Sequence, residues 1–275
     1  DGYSDKFEAD RSTVGFDGRY EAVDVEPEAL GAWVEKVRRA ETLGFNVTIP
    51  HKETITRHLD RVEGDGQLTG AVNAVIVESD ARGQVHLTGT NTDTLGFRRL
   101  LSEEEGCSLE DQRVLLLGAG GAARAVALVA LQDGARELWV VNRHVERADR
   151  LIADLQQVRQ GTATEAVAWH ENRLEALLGS ATVVINATPI GLASTEMPVD
   201  PSPVQASALV VDLIYNPLKT ALLRAAAERG LTVLGGLGML VHQAAAAFER
   251  WTEAEAPIGV MRSAAEAALK ERTQR

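Results

Sequence analysis

The segment Val114-Leu115-Leu116-Leu117-Gly118-Ala119-Gly120-Gly121-Ala122-Ala123 reads as a buried strand, a tight glycine turn and the opening of a helix. It fits G-x-G-x-x-A: Gly118 permits the sharp turn, Gly120 lets the backbone approach a pyrophosphate, and Ala123 keeps the helix near the sheet. The helix N-terminus over Gly121 and Ala122 offers N–H groups to an anion. A glycine triplet by itself can be an ordinary strand–helix turn. Here it follows a strand, opens a helix and belongs to a βαβ unit of suitable length, which favours a dinucleotide site. NAD enzymes place an acid at the end of the next strand to bind the adenosine ribose hydroxyls. This chain has Asn142-Arg143-His144 there, with Arg147 one helical turn later. An acid would repel a 2′-phosphate, whereas a guanidinium fork binds one in a charge-assisted, often bidentate way. Asn142, Arg143 and Arg147 therefore argue for NADP, against the plainer reading of solvated arginines at a helix start.

Three segments nearer the N-terminus set polar residues directly after, or inside, an apolar strand. They are Asn46-Val47-Thr48-Ile49-Pro50-His51-Lys52, Gly70-Ala71-Val72-Asn73-Ala74 and Gly89-Thr90-Asn91-Thr92-Asp93. A plain core does not need Thr48, Lys52, Asn73 or Asp93 at such places.

The elements that must position these groups follow two patterns. From Val114 onward short apolar runs (Val114–Leu117, Leu138–Val141, Val183–Ala187, Leu209–Leu213, Thr232–Leu234) alternate with helical stretches near Gly121–Gln132, Glu146–Gln157 and Thr220–Arg229. Continuous apolar runs indicate strands covered on both faces, and their alternation with helices implies a parallel, doubly wound sheet. Before that, Tyr20–Val25, Asn46–Ile49, Ala71–Val77 and Val85–Thr88 read as strands and Pro27–Leu43 as a helix opened by its proline. The expected fold is α/β: an N-terminal α/β substrate domain plus a Rossmann-like dinucleotide domain, with a cleft between them. Residues 1–95, completed by C-terminal helices over about 239–275, would form the first, and residues 96–238 the second.

Composition narrows the partners. With 28 Lys+Arg against 40 Asp+Glu the formal charge is −12, and no basic run offsets it, so nucleic acid is not an expected partner. Cys107 is the only cysteine, which excludes an intrachain disulfide and a multi-thiolate zinc site and suits a cytoplasmic protein. No metal is expected. No apolar stretch reaches the ~18 residues of a membrane span. A monomer or a homodimer is expected.

Taken together with Asn186-Ala187-Thr188 and Gly236-Leu237-Gly238-Met239-Leu240-Val241-His242-Gln243, these segments resemble the shikimate dehydrogenase family in order and spacing, from about Gly15 to the C-terminus. The resemblance implies reversible reduction of 3-dehydroshikimate to shikimate with NADPH, in aromatic biosynthesis. It implies a catalytic pair at Lys52 and Asp93, and ring-hydroxyl and carboxylate contacts at Thr48, Asn73, Asp93 and Gln243, with Tyr215 close to the substrate. Cofactor contacts would fall on Gly118, Ala119, Gly120, Gly121, Ala122, Asn142, Arg143, Arg147 and Thr188. Backbone near Leu213, Gly236 and Met239 would flank the nicotinamide. The residue types suit that chemistry: ketone reduction puts charge on oxygen as hydride arrives, and Lys52 can supply the proton and take it back. Asn73 and Gln243 each offer a donor and an acceptor to vicinal hydroxyls. His51, His242 and Cys107 read as bystanders, and Trp33 and Trp251 as packing.

The chain departs from the family at its start. Counting back from Gly15–Tyr20, two serines that hold the substrate carboxylate should fall near Asp1 and Tyr3, and neither is there. The expectation is that the beginning of the chain is missing or misassigned. His144 replaces the family's usual Thr or Ser, and a neutral imidazole can still donate to a phosphate. A relative that acts on quinate, or with NAD, and a nucleotide-binding sensor without turnover are the competing readings. Lys52 together with Asp93 argues against the sensor, since a binder needs no proton relay.

Overall fold

The computed structural model describes residues 18–104, 106–158 and 161–273; the positions near Asp1 and Tyr3 lie outside them. The chain divides into two compact units, Asp1–Gly96 with Val241–Arg275, and Phe97–Leu240.

In the first unit Pro27 opens a 3-10 turn that runs into helix α1, Leu30–Val37. Proline suits a first turn because the N–H it lacks would have had no intrahelical partner. The sheet comprises β1 (Gly44–Asn46), β2 (Arg61–Val62), β3 (Ala74–Ser79) and β4 (Val85–Thr90), in the order β1-β3-β4-β2. β1 and β4 run antiparallel to β3, and β2 runs parallel to β4. Between β2 and β3 lies the short helix α2, Asp65–Thr69. Leu30 and Val34 on one face of α1 pack with Val47, Ile55, Val72, Val75 and Leu87. Helix α3, Asp93–Glu104, follows β4 and carries the chain into the second unit.

The second unit is a doubly wound sheet. Its strands are β5 (Arg113–Leu117), β6 (Glu137–Asn142), β7 (Ala163–Ala168), β8 (Val183–Asn186), β9 (Leu209–Asp212) and β10 (Thr232–Gly235). All adjacent pairs are parallel, in the order β10-β9-β8-β5-β6-β7. The winding therefore reverses between β5 and β8, and in such sheets ligands bind beyond the carboxyl ends of the strands at that reversal. Helices α4 (Gly121–Gln132), α5 (Val145–Asp154), α6 (Leu174–Ser180) and α7 (Ala221–Glu228) complete the unit. Leu115, Leu117, Val141, Val184 and Val210 are all in one apolar cluster, which is why these strands read as unbroken aliphatic runs. Helix α8, Leu237–Thr252, returns the chain to the first unit, where α9, Ile258–Thr273, ends it. No helix among the described residues is long and apolar enough to cross a membrane.

Several local expectations change. Tyr20–Val25 is not a strand: Val23 is 56% exposed, and the ends of the segment are tied by side chains rather than by a ladder. The Tyr20 hydroxyl donates to Asn46 Oδ1 at 2.9 Å, and the Val25 carbonyl meets His51 Nε2 at 2.6 Å. The helix expected to reach Leu43 stops at Val37, where i to i−3 bonds from Arg39 and Ala40 tighten the turn and Arg38 pairs with Asp60 at 2.7 Å. β7 was not anticipated because its burial alternates, as befits an edge strand, and α6 because it has only seven residues. Trp33 packs edge to face on Phe45, and Trp251 Nε1 donates to the Val75 carbonyl at 2.9 Å.

Candidate active site

A buried polar network in the first unit is built where β1 and β4 end and β3 begins. The turn after β1 carries Lys52, whose carbonyl accepts from Val72 N at 2.7 Å, so that the turn is stitched to the residue before Asn73. Asn73 itself receives no freedom from its backbone: its carbonyl accepts Val47 N at 2.8 Å and its N–H donates to Thr90 O at 3.1 Å. Asp93 opens α3 directly after β4, and its N–H donates to Asn91 Oδ1 at 2.9 Å.

The side chains then converge. Lys52 Nζ donates to Asp93 Oδ2 at 2.5 Å, and Asn73 Nδ2 donates to Asp93 Oδ1 at 2.8 Å. Asn73 Nδ2 also reaches Gln243 Oε1 on α8 at 3.2 Å and Thr92 Oγ1 at 3.0 Å. The Asn73 oxygen accepts Thr92 N at 2.7 Å, and Thr92 Oγ1 donates to the Gln243 carbonyl at 2.9 Å. Asp93, Asn73, Gln243 and Thr92 are all buried, whereas the Lys52 side chain remains 16% exposed. Both oxygens of the Asp93 carboxylate are thus engaged, and Lys52, the cation on it among the described residues, still reaches solvent. Loss of any one buried partner strands the others at a cost of roughly 1–3 kcal/mol each.

Lys52, Asn73, Asp93 and Gln243 come together in the first unit. Thr48 does not join them: it is exposed, and its carbonyl caps the turn by accepting His51 N at 2.8 Å. Thr92 and Asn91 were not singled out, although their place in a polar run after a strand was the signal. His51 has a structural task beside Lys52, holding Val25. Burial pushes the Tyr20 phenol up to about 12, so it stays protonated as the donor to Asn46 Oδ1.

The dinucleotide motif lies in the second unit. Gly118, at φ +106°, donates its N–H to Val141 O at 2.8 Å, and a Cβ there would meet the Ala187 carbonyl at 3.0 Å and the Thr188 methyl at 3.2 Å. Only glycine accepts both the dihedral and the approach. Gly120 precedes the helix in extended geometry, and a Cβ built there would meet nothing within 4 Å. The turn therefore leaves open space beside the first N–H groups of α4, where an anion can be received. Ala119 is buried, while Gly121 and Ala122 are half-buried at the helix start. Asn142 Nδ2 donates to His144 O at 2.8 Å and shapes the turn from β6 to α5, leaving Arg143 and Arg147 exposed. No acid stands at the end of β6, so these residues fit a 2′-phosphorylated dinucleotide.

Thr188, Leu213, Tyr215, Gly236 and Met239 lie on loops and a helix start at the carboxyl ends of β8, β9 and β10. Leu213 N donates to Asn186 O at 2.9 Å, and a Cβ on Gly236 would fall 2.0 Å from the Leu213 carbonyl, so the two backbones touch. Tyr215 is half-buried and Met239 buried. Beneath them is a group that the sequence reading did not mark: Asp212, fully buried at the end of β9, accepts from Asn186 Nδ2 at 2.9 Å, Ile214 N at 3.1 Å and Thr220 Oγ1 at 2.7 Å.

Burial raises the Asp212 carboxyl above its ordinary range, against the lowering effect of these hydrogen bonds. A raised native value means that its stability contribution is fully present below the unfolded carboxyl's range and is lost as pH rises through the native one. Relative to the parent, Asp212→Asn is therefore expected to gain thermal stability as pH rises through the carboxylate range, then level off. Melting curves of both proteins across pH check this, and a difference that stays flat would show an unshifted carboxyl.

Residues 7–75 match the shikimate dehydrogenase substrate binding domain, residues 100–213 the shikimate / quinate 5-dehydrogenase model, and residues 236–266 the shikimate 5'-dehydrogenase C-terminal domain. A shikimate dehydrogenase (NADP(+)) of Methanopyrus kandleri is 40% identical over 254 residues, covering 91% of this chain and 86% of the relative. Among solved structures, shikimate 5-dehydrogenase from Thermus thermophilus in complex with NADP(H) and shikimate has a TM-score of 0.82 at 36% identity, covering 97% of this chain and 94% of that one. A 5-ketofructose reductase of Gluconobacter, in ligand-free form, has a TM-score of 0.80 at 34% identity, covering 96% of this chain and 92% of that one. The identity extends across both units at nearly full coverage, and the chain belongs to the shikimate dehydrogenase family.

Proposed function

We propose that this protein catalyses the reversible NADPH-dependent reduction of 3-dehydroshikimate to shikimate. The observation that carries the reading is the network joining Lys52, Asp93, Asn73 and Gln243, a cation–carboxylate pair flanked by two carboxamides. NADPH, when bound, supplies the hydride. Gly118, Ala119, Gly120, Gly121 and Ala122 would hold its pyrophosphate, Asn142, Arg143 and Arg147 its 2′-phosphate end, and the stretch with Thr188, Leu213, Gly236 and Met239 its nicotinamide end.

Lys52 Nζ donates a proton to the ketone oxygen as charge develops there, and in the reverse direction accepts it from the hydroxyl. Asp93 fixes the ammonium at 2.5 Å, and Asn73 keeps that carboxylate oriented through the other oxygen. Asn73 and Gln243 present donors and acceptors to ring hydroxyls, with Thr92 bracing both. Thr48, exposed on the turn before Lys52 and outside that network, would add a further substrate contact. The Lys52–Asp93 pair distinguishes this reading from a sensor that only binds nucleotide.

A second reading, reduction of a different polyhydroxylated ketone, is favoured by the similarity to the 5-ketofructose reductase of Gluconobacter, at 34% identity and a TM-score of 0.80. The test is absorbance at the nicotinamide band with shikimate and quinate crossed against NADP+ and NAD+, and with 5-ketofructose against NADPH. Turnover is expected with shikimate and NADP+. Turnover confined to quinate or 5-ketofructose would establish the second reading, and none with any pair would leave a sensor.

A further inference from the structure

We infer that Asp212 is a positioning residue for the dinucleotide: through Asn186 it holds Thr188 and the loop after β9 in the geometry that receives the cofactor. The inference rests on the proposed NADP site in the second unit. β8 and β9 run in register, Val184 beside Val210 and, two residues on, Asn186 beside Asp212. The earlier pair is aliphatic and belongs to the apolar cluster; the later pair, on the same face and fully buried, is a carboxyl and a carboxamide. Burying a carboxyl is costly, and replacing a buried polar group by a well-packed aliphatic one is often neutral or stabilising. Packing alone therefore gives no reason for Asp212.

Its bonds give one. Asp212 Oδ1 accepts Asn186 Nδ2 at 2.9 Å, which forces the carboxamide to turn its oxygen the other way. That oxygen accepts both Thr188 N at 3.0 Å and Thr188 Oγ1 at 2.7 Å. Thr188 Oγ1 in turn accepts Ile190 N at 3.2 Å, and Asn186 Nδ2 also reaches Ile190 O at 3.2 Å, which closes the loop after β8 on itself. The Thr188 methyl is left against Gly118, 3.2 Å from where a Cβ would stand. The other carboxyl oxygen accepts Thr220 Oγ1, and that hydroxyl accepts Leu223 N at 3.3 Å as the N-cap of α7. Asp212 Oδ1 also accepts Ile214 N at 3.1 Å, beside the Leu213 backbone that touches Gly236. One side chain thus orients the loops after β8 and β9 and ties them to α7. The loop after β8 stands beside the reversal in strand order, where Gly118 turns, and the loop after β9 is its neighbour.

The consequence is specific to nucleotide affinity. Without Asp212 the Asn186 amide is held only by the longer bond to the Ile190 carbonyl, and the acceptor that fixes Thr188 is loosened. An asparagine at 212 keeps an oxygen for Asn186 and Ile214 and an N–H for Thr220 Oγ1, so it should preserve the arrangement. Val210→Ala, on the same strand and face, opens a cavity without touching the network and controls for loss of packing.

The experiment measures NADP+ dissociation constants by titration calorimetry, melting temperatures, and the split between the KM for NADP+ and kcat, for the parent, Asp212→Ala, Asp212→Asn and Val210→Ala. Asp212→Ala is expected to weaken NADP+ binding by about tenfold or more, in line with stranding buried partners, and to raise the KM for NADP+ with it. Asp212→Asn is expected to restore affinity to within about threefold, and Val210→Ala to lose melting temperature with affinity within about twofold of the parent. Unchanged affinity in Asp212→Ala overturns the inference, and so does an affinity that follows melting temperature in Val210→Ala as well. If Asp212→Ala does not fold, Thr188→Val, nearly isosteric and at the end of the hydrogen-bond chain, decides: a comparable loss of affinity supports the inference and parental affinity overturns it. A parent that fails to bind NADP+ removes the nucleotide reading itself, and this inference with it, whereas a binding parent with an equally tight Asp212→Ala removes the inference alone.

Discussion

Lys52→Ala is expected to lower kcat for shikimate oxidation by about 10²–10⁴-fold, the usual worth of a positioned acid–base group, while the KM for shikimate moves far less. The ammonium stands 2.5 Å from Asp93 Oδ2, and its side chain is the only member of the Lys52, Asp93, Asn73 and Gln243 group that keeps appreciable exposure. Its role is thus to exchange a proton with a ligand rather than to fill space. A transition-state donor lost by mutation lowers kcat and kcat/KM together, whereas a uniform binding contact would raise KM alone. Lys52→Met separates the charge from the volume and should lose as much turnover as the alanine variant. Because Asp93 keeps Asn73 as a partner, both variants should still fold. Steady-state kinetics in both directions check the prediction, and turnover equal to the parent would remove Lys52 from the mechanism.

Arg143→Ala is expected to weaken NADP+ by about 10–100-fold, the scale of a lost hydrogen bond to a charged group, and to leave NAD+ within about twofold. Arg143 is exposed on the turn that Asn142 shapes by donating to His144 O at 2.8 Å, and no carboxylate ends β6. The guanidinium has little to contribute to a ribose hydroxyl and much to a 2′-phosphate. Its effect should shrink with added salt, as an exposed charge pair must. Titrations of both nucleotides at two ionic strengths check this, and equal weakening of NADP+ and NAD+ would defeat the 2′-phosphate argument.

Much of this protein was legible without coordinates because the signals are local. The run Val114–Leu117 is apolar because both faces of β5 are covered, and Gly118 is required by its positive φ and by the Ala187 backbone beside it, while Gly120 leaves space open before the helix. Helix α4 spans Gly121–Gln132, as its pattern indicates, and the absence of an acid after β6 needs only the knowledge of where that strand ends. Edge and irregular segments were less readable. Tyr20–Val25 reads as a strand yet is held by Tyr20 and His51 instead, and β7 hides its pairing behind half-exposed residues.

The sequence by itself determined the doubly wound sheet, the glycine turn and the residue types available for proton and phosphate chemistry, because hydrophobic periodicity and glycine geometry act over a few neighbouring residues. Only the tertiary structure decided which polar groups meet. Asn73 and Gln243 are 170 positions apart, Thr92 binds the Gln243 carbonyl, Thr48 stands aside, and Asp212 reaches Asn186 across two strands separated by 26 positions. Such partners are chosen by strand order and burial: a polar group removed from water must bind whichever group the fold brings within reach, and no local pattern records which that is.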